Sequence, residues 1–368
     1  MSDVLRAVLH GPIAQRAAPG GVVLYGDAGK DVAVHAFGVT LAMPAEDAVA
    51  VSADMVYDVA SVTKVAATTG VLLKLIERGD ISLDTRLGEL VPELRTPGGD
   101  AITIRHVAGH GSGLPAHFEM YRRLLAGDFA GAATAREGLV RMCGSAPLAS
   151  EPGERVCYSD LGYILLGTAL ERAGGERLDL LAAQLVFKPL GMSASGFVDL
   201  TGDTPVGVSG YVVPTEVCPY RGLVHRAVHD GNAHAAGGIC GHAGLFSTAT
   251  DLGRFARAIV AAAGDDSGHF SGELVRSFFA QRGAPGHTRR LGWDTPSATP
   301  GVSHAGDTWP REHTYGHLGF TGASMWHHHP TGRYAVLITN RVNPTRLRTG
   351  IKELRRAVMD AVWTTLER

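Results

Sequence analysis

The stretch Asp58-Val59-Ala60-Ser61-Val62-Thr63-Lys64 opens a segment in which apolar residues recur at helical spacing as far as Gly79. Glycine accepts a positive φ and often ends helices, so the pattern predicts a largely buried helix that closes at Gly79. Ser61 would lie in its first turn, with Lys64 three residues later on the same face. A hydroxyl and an amine would then lie within reach of each other, at a helix end where backbone N–H groups are free.

A serine that opens a helix is most often an N-cap, and Ser-x-x-Lys alone is a weak pattern. The use of lysine in this chain favours a chemical role. Of the 34 basic residues only five are lysines, namely Lys30, Lys64, Lys74, Lys188 and Lys352. A desolvated lysine can lose its proton, which arginine cannot do, so a lysine inside an apolar helix suggests an amine that works as a base. From these residues alone, a structural cap and a catalytic pair both stay open.

The composition excludes several classes of function. The 368 residues are 45% hydrophobic and 19% charged with a net charge of −2, which is typical of a globular protein with a sizeable core and indicates no nucleic-acid surface. The four cysteines form no Cys-x-x-Cys pair and indicate neither a disulfide framework nor a zinc site. No window reaches membrane-spanning length, and the N-terminal segment lacks a signal-peptide pattern, so we expect a cytoplasmic protein without a membrane span.

Strand patterns lie towards both ends of the chain, and helical patterns lie between them. The pattern predicts strands at 21–25, 32–37, 317–320, 323–327 and 334–340, the first two forming a hairpin around the turn signals Gly26-Asp27 and Gly29-Lys30. It predicts helices at 3–16 (interrupted at Gly11-Pro12), 102–106, 117–126, 134–142, 160–173, 177–187, 252–263 and 350–366, with Thr103 and either Thr248 or Thr250 as N-caps. This order indicates one sheet into which a helical subdomain is inserted.

Two further segments carry candidate functional residues. Tyr158 directly precedes a predicted helix, where a tyrosine is more often a core aromatic with a satisfied hydroxyl than a functional group. Residues 316–322 read Gly-His-Leu-Gly-Phe-Thr-Gly. Glycines inside a strand suggest close approach by another backbone or a ligand, with a bulge as the structural alternative.

Two groups of histidines in the sequence are candidates for a metal site. His225, His229, Asp230 and His234 have a compatible spacing, but the turn-rich context around Asp230 favours a hydrogen-bonded loop. The run 327–329 consists of three histidines, and consecutive strand residues alternate faces, so they cannot converge easily on one ion. We therefore predict no metal site and no cofactor.

Together these segments resemble the serine β-lactamase and penicillin-binding-protein superfamily, specifically its class C β-lactamase-like branch, over nearly the whole chain. The segments that carry the resemblance are Ser61-Val62-Thr63-Lys64, 104–107 with 110–115, Tyr158-Ser159-Asp160 with 161–163, 241–247, 316–322 and 337–341. One such motif is weak, whereas the ordered set is strong. The resemblance implies a β-lactamase/transpeptidase-like α/β (α+β) fold, in which a mostly antiparallel sheet is flanked by the terminal helices. A single domain, 1–368, would combine an α/β subdomain of about 1–60 and 250–368 with a mainly helical subdomain of about 61–249, and the active site would lie between them.

Carried over position by position, the resemblance implies catalytic roles for Ser61, Lys64 and Tyr158, as nucleophile, activating amine and proton shuttle. The backbone N–H groups of Ser61 and Phe320 match the oxyanion hole, and Gly319 lies in the substrate-binding third motif. The physics agrees, because a serine hydroxyl is a poor nucleophile until a desolvated lysine, or a phenol beside a cation, takes its proton. Two fixed N–H donors would then stabilise the oxyanion.

Two departures from the family pattern concern substrate binding. The second motif ends in Asp160 where the family has asparagine, and the third opens with His317 where the family has lysine. An ionised aspartate only accepts hydrogen bonds, so we expect Asp160 to face the cleft and favour a donor or an ammonium group on the substrate. Neutral histidine attracts a carboxylate far less than lysine does, and related esterases and D-aminopeptidases also carry histidine there. We therefore expect poor turnover of β-lactams, improving towards pH 6 as His317 gains a proton.

The resemblance implies a serine hydrolase that cleaves an ester or amide of a small or peptide-like substrate through an acyl-enzyme. An acyltransferase on the same residues, serving small-molecule biosynthesis, is the alternative, since the two differ only in which nucleophile reaches the acyl-enzyme first. A non-catalytic binding protein is a third reading, against which the complete Ser61, Lys64 and Tyr158 set argues. The oligomeric state is left open.

Overall fold

The computed structural model describes residues 1–27, 30–202, 207–265, 268–284 and 287–367. The strands in these parts are β1 (Gly20–Asp27), β2 (Lys30–Gly38), β3 (Tyr57–Asp58), β4 (Gly196–Phe197), β5 (Val217–Cys218), β6 (Gly222–Leu223), β7 (Leu245–Ser247), β8 (Thr314–Leu318), β9 (Ser324–His328) and β10 (Arg333–Thr339). Five of them form an antiparallel sheet in the order β2-β1-β10-β9-β8, and β3-β7-β4 and β5-β6 form two small sheets. The main sheet therefore draws its strands from both ends of the chain.

The helices surround this sheet and fill the middle of the sequence. They are α1 (Asp3–His10), α2 (Pro12–Ala17), α3 (Gly70–Arg78), α4 (Leu87–Leu90), α5 (Ile104–Ala108), α6 (Tyr121–Leu125), α7 (Ala135–Gly144), α8 (Asp160–Gly174), α9 (Leu178–Ala182), α10 (Gly231–Ala235), α11 (Ala249–Asp265), α12 (Gly272–Ala280) and α13 (Ile351–Leu366). No helix in the described ranges is long and apolar enough to cross a membrane.

Alternation along the central strands places a hydrophobic core on each face of the main sheet. On β1, Val22 and Leu24 belong to the larger core, which includes residues of α3, α8 and α11, whereas Val23 and Tyr25 belong to a second core with residues of α1 and α13. The terminal helices thus cover one face, and α11 lies against the other. Gly253 permits this close approach, because a Cβ there would lie 2.6 Å from Leu24 Cδ2.

Most of the predicted elements are confirmed, with changes at their ends. The hairpin of β1 and β2 is present, although the turn signal at Gly29 lies outside the described residues. Thr103 caps α5, and Thr248, not Thr250, caps α11. The helix predicted at 117–126 is reduced to α6, and the one predicted at 177–187 is α9 followed by a π-helical turn. The strand predicted at 317–320 is wrong in its second half, because β8 ends at Leu318.

The segment that begins at Ser61 is helical but is not the regular α-helix that its spacing predicts. A 3₁₀ turn (Ala60–Val62) is followed by a π-helix (Lys64–Thr69), and the α-helix α3 begins only at Gly70. The Thr69 hydroxyl donates to the Lys64 carbonyl at 2.7 Å and so satisfies an acceptor within the widened turn. Such π-helical turns occur frequently at functional sites. Gly79 ends α3 with a φ of 78°, as predicted.

The larger core runs without interruption from Val22 through the inserted helices to Ile338. We therefore propose that 1–368 forms a single domain, with its α/β part at about 1–60 and 250–368 and its mainly helical part at about 61–249.

Candidate active site

Ser61 follows a tight turn that a buried carboxylate holds in place. Asp58, at the end of β3, accepts hydrogen bonds from the N–H groups of Ala60 at 2.8 Å and His229 at 2.7 Å. Its carbonyl accepts from the Thr321 hydroxyl at 2.8 Å. Burial raises the pKa of Asp58, and the two N–H donors oppose this rise. Ala60 has a φ of 47°, a conformation that L-residues rarely adopt, so the turn before Ser61 is strained and is maintained by these contacts.

Lys64 is fully buried, and its ammonium group has three partners. Nζ lies 3.1 Å from Ser61 Oγ, 2.7 Å from Asp160 Oδ1 and 2.9 Å from the His242 carbonyl oxygen. A lysine ammonium has three protons to donate, one for each of these contacts. The Tyr158 side chain also hydrogen-bonds with Lys64 and helps to raise its pKa. The sequence prediction that Ser61 and Lys64 meet is confirmed by the 3.1 Å distance.

The charge state of Lys64 differs from the sequence-based expectation. Burial alone would lower the pKa of Lys64, but the adjacent Asp160 carboxylate outweighs it, and the net effect is to raise the pKa above its ordinary value. Burial would likewise raise the pKa of Asp160, and the Lys64 charge reverses this and lowers it well below its usual range. Lys64 is therefore an ammonium paired with an ionised aspartate. The expectation of a lysine that has lost its proton by desolvation is wrong for this resting state.

Asp160 lies in the cleft, but its oxygens already have protein partners. Oδ1 accepts from Lys64, and Oδ2 lies 3.1 Å from His117 Nδ1. The hydrogen bond to Asp160 raises the pKa of His117 and so favours a cationic ring beside the carboxylate. Asp160 thus lines the cavity, as expected, and is also part of the charge network around Lys64, while its preference for a substrate ammonium group stays a prediction. The motif spacing gave no means of seeing this, because His117 is contributed by a separate loop.

Tyr158 is surrounded by two cations and an imidazole. Lys64 Nζ lies 4.9 Å from the centre of the phenol ring and the Arg289 guanidinium lies 4.6 Å from it. The His110 ring, with its centre 4.5 Å away, is held by a hydrogen bond from the Ser159 N–H to its Nδ1 at 3.1 Å. Arg289 was not foreseen, because no local motif distinguishes it from the other arginines of this chain.

His317 does not reach the cavity. It is 3% exposed, its Nδ1 lies 2.9 Å from the Leu318 carbonyl oxygen, and its ring centre is 6.0 Å from that of Tyr158. Burial, with the nearby Arg289 and Lys64 charges, lowers the pKa of His317 well below its ordinary value, so the ring stays neutral at physiological pH. The expectation that His317 meets a substrate carboxylate and gains a proton towards pH 6 is therefore wrong.

The turn after β8 presents the second expected oxyanion donor. The N–H groups of Ser61 and Phe320 donate to no protein acceptor in the described part of the chain, and both residues line the cavity. Gly319 is not in the cavity wall; a Cβ there would lie 2.3 Å from the Val59 carbonyl oxygen. Gly319 thus lets this turn pack against the segment that leads to Ser61, and the adjacent Phe320 lines the same cavity as the serine. A contact between Gly319 and substrate stays a prediction.

These side chains line a cavity of about 300 Å³, here called the site cavity. Its wall includes Ser61, His117, Glu119, Tyr121, Tyr158, Asp160, Asp230, Gly231, His242, Phe320 and Arg346. Ser61 therefore opens onto a space of the size that holds a small organic molecule.

Asp230 and His242 form a second buried acid–base pair in this wall. Asp230 caps α10 by accepting from the Ala233 N–H at 2.8 Å, and the same oxygen, Oδ1, lies 2.9 Å from His242 Nε2. Burial alone would lower the pKa of His242, but Asp230 raises it to about 10. Burial would raise the pKa of Asp230, and the His242 charge lowers it to about 2. Because the His242 carbonyl accepts from Lys64, this ion pair fixes one of the lysine's partners.

The histidines of the first candidate metal site, in the segment 225–234, have different partners. His225 Nε2 lies 2.9 Å from the Val212 carbonyl oxygen, and His229 Nε2 lies 2.9 Å from Glu216 Oε2. Within the ranges that the structure describes, no three His, Cys, Asp or Glu residues are grouped so that they could hold a metal ion.

Comparisons with known proteins agree with this geometry. The sequence model of the β-lactamase family matches residues 5–359. A protein of Escherichia coli K12 that is provisionally named D-alanyl-D-alanine carboxypeptidase is 28% identical over 300 residues, which are 75% of this chain and 67% of that protein.

Solved structures share the fold at low identity. The octameric penicillin-binding protein homologue from Pyrococcus abyssi superposes with a TM-score of 0.74 at 20% identity, covering 100% of this chain and 78% of the other. EstCE1, described as a hydrolase with promiscuous acyltransferase activity, superposes with a TM-score of 0.71 at 21% identity and covers 97% of both chains. The fold is thus the β-lactamase/transpeptidase-like fold. Since the family model also spans nearly the whole sequence, the chain belongs to the β-lactamase family and is an enzyme of its serine hydrolase type.

Proposed function

We propose that this protein cleaves an ester or amide through an acyl-enzyme formed on Ser61. The contact that carries the proposal is the 3.1 Å distance between Ser61 Oγ and the buried Lys64 Nζ, at the wall of a cavity that also contains Tyr158. In this proposal the N–H groups of Ser61 and Phe320 bind the carbonyl oxygen as it becomes negative.

The charge of Lys64 determines which group takes the serine proton. An ammonium donates to Ser61 Oγ and cannot accept from it, so in this proposal Tyr158, as the phenolate, takes the serine proton once substrate is bound and becomes the neutral phenol. The Lys64 ammonium and the Arg289 guanidinium lie 4.9 and 4.6 Å from the ring centre, where they favour the negative charge that the phenolate carries before the transfer. Tyr158 then returns the proton to the leaving group, and the same route activates the water or the second substrate that releases the acyl group.

The experiment that tests this proposal is covalent labelling with a fluorophosphonate, followed by peptide mass spectrometry. Wild-type protein should carry the label on Ser61, and Ser61→Ala should carry none. Ser82→Ala, which changes an exposed serine, is the matched control and should label like wild type. Absence of label on the wild-type protein would favour a binding protein over an enzyme that uses Ser61.

Acyl transfer to an amine or alcohol is the second candidate, and the similarity to EstCE1 favours it. Methyl and phenyl esters, amides and D-alanyl-D-alanine peptides would be incubated with and without a primary amine, and the products read by mass spectrometry. A hydrolase gives the free acid in both cases, whereas a transferase gives the amide as the main product. Release of D-alanine would place this chain with the activity named for its E. coli relative.

The pH dependence of kcat/KM in Asp160→Asn is expected to shift to lower pH, by the same amount for neutral and cationic substrates. Asparagine keeps an acceptor for Lys64 but removes the charge that raises the lysine pKa, so burial then dominates and lowers it. If the ammonium is the working form, kcat/KM should fall at lower pH in the variant than in wild type, to the same extent for neutral and cationic esters. The measurement is kcat/KM between pH 6 and 10, with Asp84→Asn, an exposed aspartate, as control. A rate increase near neutrality would instead identify neutral Lys64 as the base, and a loss confined to cationic esters would support the selective role for Asp160.

Hydrolysis of cephalosporins should be much slower than hydrolysis of neutral esters, and the buried, neutral His317 should contribute no gain on acidification. The substrate carboxylate would enter a cavity whose wall carries Glu119, Asp160 and Asp230. The cations in that wall are already paired, His117 with Asp160, His242 with Asp230 and Arg346 with Glu216. Losing one charge-assisted contact costs about 1.5–3 kcal/mol, or roughly tenfold to more than a hundredfold in rate. The check is kcat/KM for a chromogenic cephalosporin and a nitrophenyl ester across pH 5.5 to 8. Values for the cephalosporin above about 10⁵ M⁻¹s⁻¹ would be those of an efficient enzyme and would contradict this expectation.

A further inference from the structure

A second cavity adjoins the site cavity and is here called the outer cavity. It has a volume of about 360 Å³ and shares four wall residues with the site cavity, namely Glu119, Tyr121, Gly231 and Arg346. The Tyr121 ring lies directly on Gly231, where a Cβ would meet the ring at 2.7 Å. One ring and two paired side chains thus form the boundary that the two cavities share.

The far wall of the outer cavity is apolar and open to solvent. Leu125 on α6, Tyr220 in the β5–β6 turn and Leu347 after β10 are 62%, 75% and 81% exposed. Val217 and Pro219 complete this wall. Single exposed apolar residues need no explanation, but several from three separate segments around one concavity mark a surface that a ligand covers.

The arginines in the wall of the outer cavity have hydrogen-bond partners within the protein. Arg346 Nη2 lies 2.6 Å from Glu216 Oε2, and Arg122 Nε lies 2.6 Å from Glu119 Oε2. Arg221 donates to the carbonyl oxygens of Val228 and His229. Two of these three arginines thus face a carboxylate and the third is held by backbone carbonyls, so the wall that is left for a ligand is mainly apolar.

We propose that the outer cavity binds an apolar alkyl or aromatic arm of the substrate while the ester or amide carbonyl lies at Ser61. The inference rests on the proposed function and deepens it, because it makes the substrate a molecule with a neutral hydrophobic arm and not a small polar peptide. A concave pocket of this volume is better suited to part of a small molecule than to the flat surface of another protein. Binding energy from this remote arm would place the carbonyl against the oxyanion donors.

The test uses two series of esters without an aromatic leaving group. Turnover is measured as the acid that hydrolysis releases. Methyl alkanoates from acetate to octanoate vary the acyl side, and alkyl acetates from methyl to octyl vary the alcohol side, all below the concentration at which they form micelles. In one of the two series, kcat/KM should rise by up to about fourfold for each methylene that is buried. The double variant Leu125→Glu and Leu347→Glu changes two exposed side chains and should lose this rise while keeping turnover of methyl acetate. Leu180→Glu, which changes a leucine on α9 that is 48% exposed and lies outside both cavities, should keep the rise.

Two results would overturn the inference while leaving the proposed function intact. These are Ser61-dependent turnover of methyl acetate with no chain-length dependence in either series, and a chain-length dependence that the double variant retains. Calorimetric binding of methyl octanoate and octyl acetate to Ser61→Ala tests the cavity without catalysis. If Ser61→Ala binds one of these esters and the added Leu125→Glu and Leu347→Glu changes weaken the binding at least tenfold, the outer cavity is supported even if turnover fails. If neither ester binds, or if the affinity is equal with and without the two leucine changes, the inference is contradicted.

Discussion

Ser61→Ala is expected to lower kcat/KM for every accepted ester by about 10³-fold or more, because no neighbouring group replaces a missing nucleophile. The only contact of the hydroxyl among the described residues is with Lys64 Nζ at 3.1 Å, so its removal costs the fold about one hydrogen bond, on the order of 1 kcal/mol. The thermal midpoint should therefore move little. Activity would be measured on a methyl or nitrophenyl ester, and stability by circular dichroism on heating.

The control for this result is Ser82→Ala, which should match wild type in both measurements. A Ser61→Ala protein that keeps more than about a tenth of the wild-type rate would remove Ser61 from the nucleophile role. A protein that loses its folded signal as well would show that the serine supports the strained turn at Ala60, and the labelling experiment would then decide the chemistry.

Lys64 substitutions are expected to lower both activity and stability, and a combined variant with Asp160 separates the two effects. Lys64→Ala leaves the Asp160 carboxylate without its strongest partner, and breaking a buried ion pair costs about 3–5 kcal/mol. Lys64→Arg keeps the charge, but a larger planar group does not fit a site with no exposed area and three partners within 3.1 Å. We expect both variants to lose about a hundredfold or more in kcat/KM.

The combined variant Lys64→Met and Asp160→Asn removes both charges and should recover most of the lost stability, since no unpaired charge stays buried. Its activity should stay low, because the cation beside Ser61 and Tyr158 is gone. The measurements are the free energy of unfolding in urea and kcat/KM on a neutral ester, with Lys74→Arg, a partly exposed lysine on α3, as control. Recovery of activity in the combined variant, or near wild-type rates in Lys64→Arg, would show that Lys64 serves mainly to neutralise Asp160.

The sequence by itself determined the elements whose signals are local. Short apolar runs bounded by turn signals placed the strands of the main sheet, and the side chains on the two faces of β1 are buried in separate cores. Helical spacing placed α8, α11 and α13, and threonine side chains marked the N-caps of α5 and α11. The meeting of Ser61 and Lys64 also followed from spacing alone, since residues three apart are neighbours on the face of an α-helix and are aligned in the 3₁₀ turn that contains Ser61.

Only the tertiary structure decided the charges and the exposures at the site. The protonation of Lys64 depends on Asp160, which lies 96 residues away in sequence and 2.7 Å away in space. The same holds for Arg289 over Tyr158 and for the His242 carbonyl on Lys64. A motif records which residue types are present, but a pKa depends on burial and on the distances to other charges, and neither is encoded locally. His317 is the clearest case, because its position in a motif predicted contact with substrate, whereas packing behind Tyr158 buries it in a neutral form.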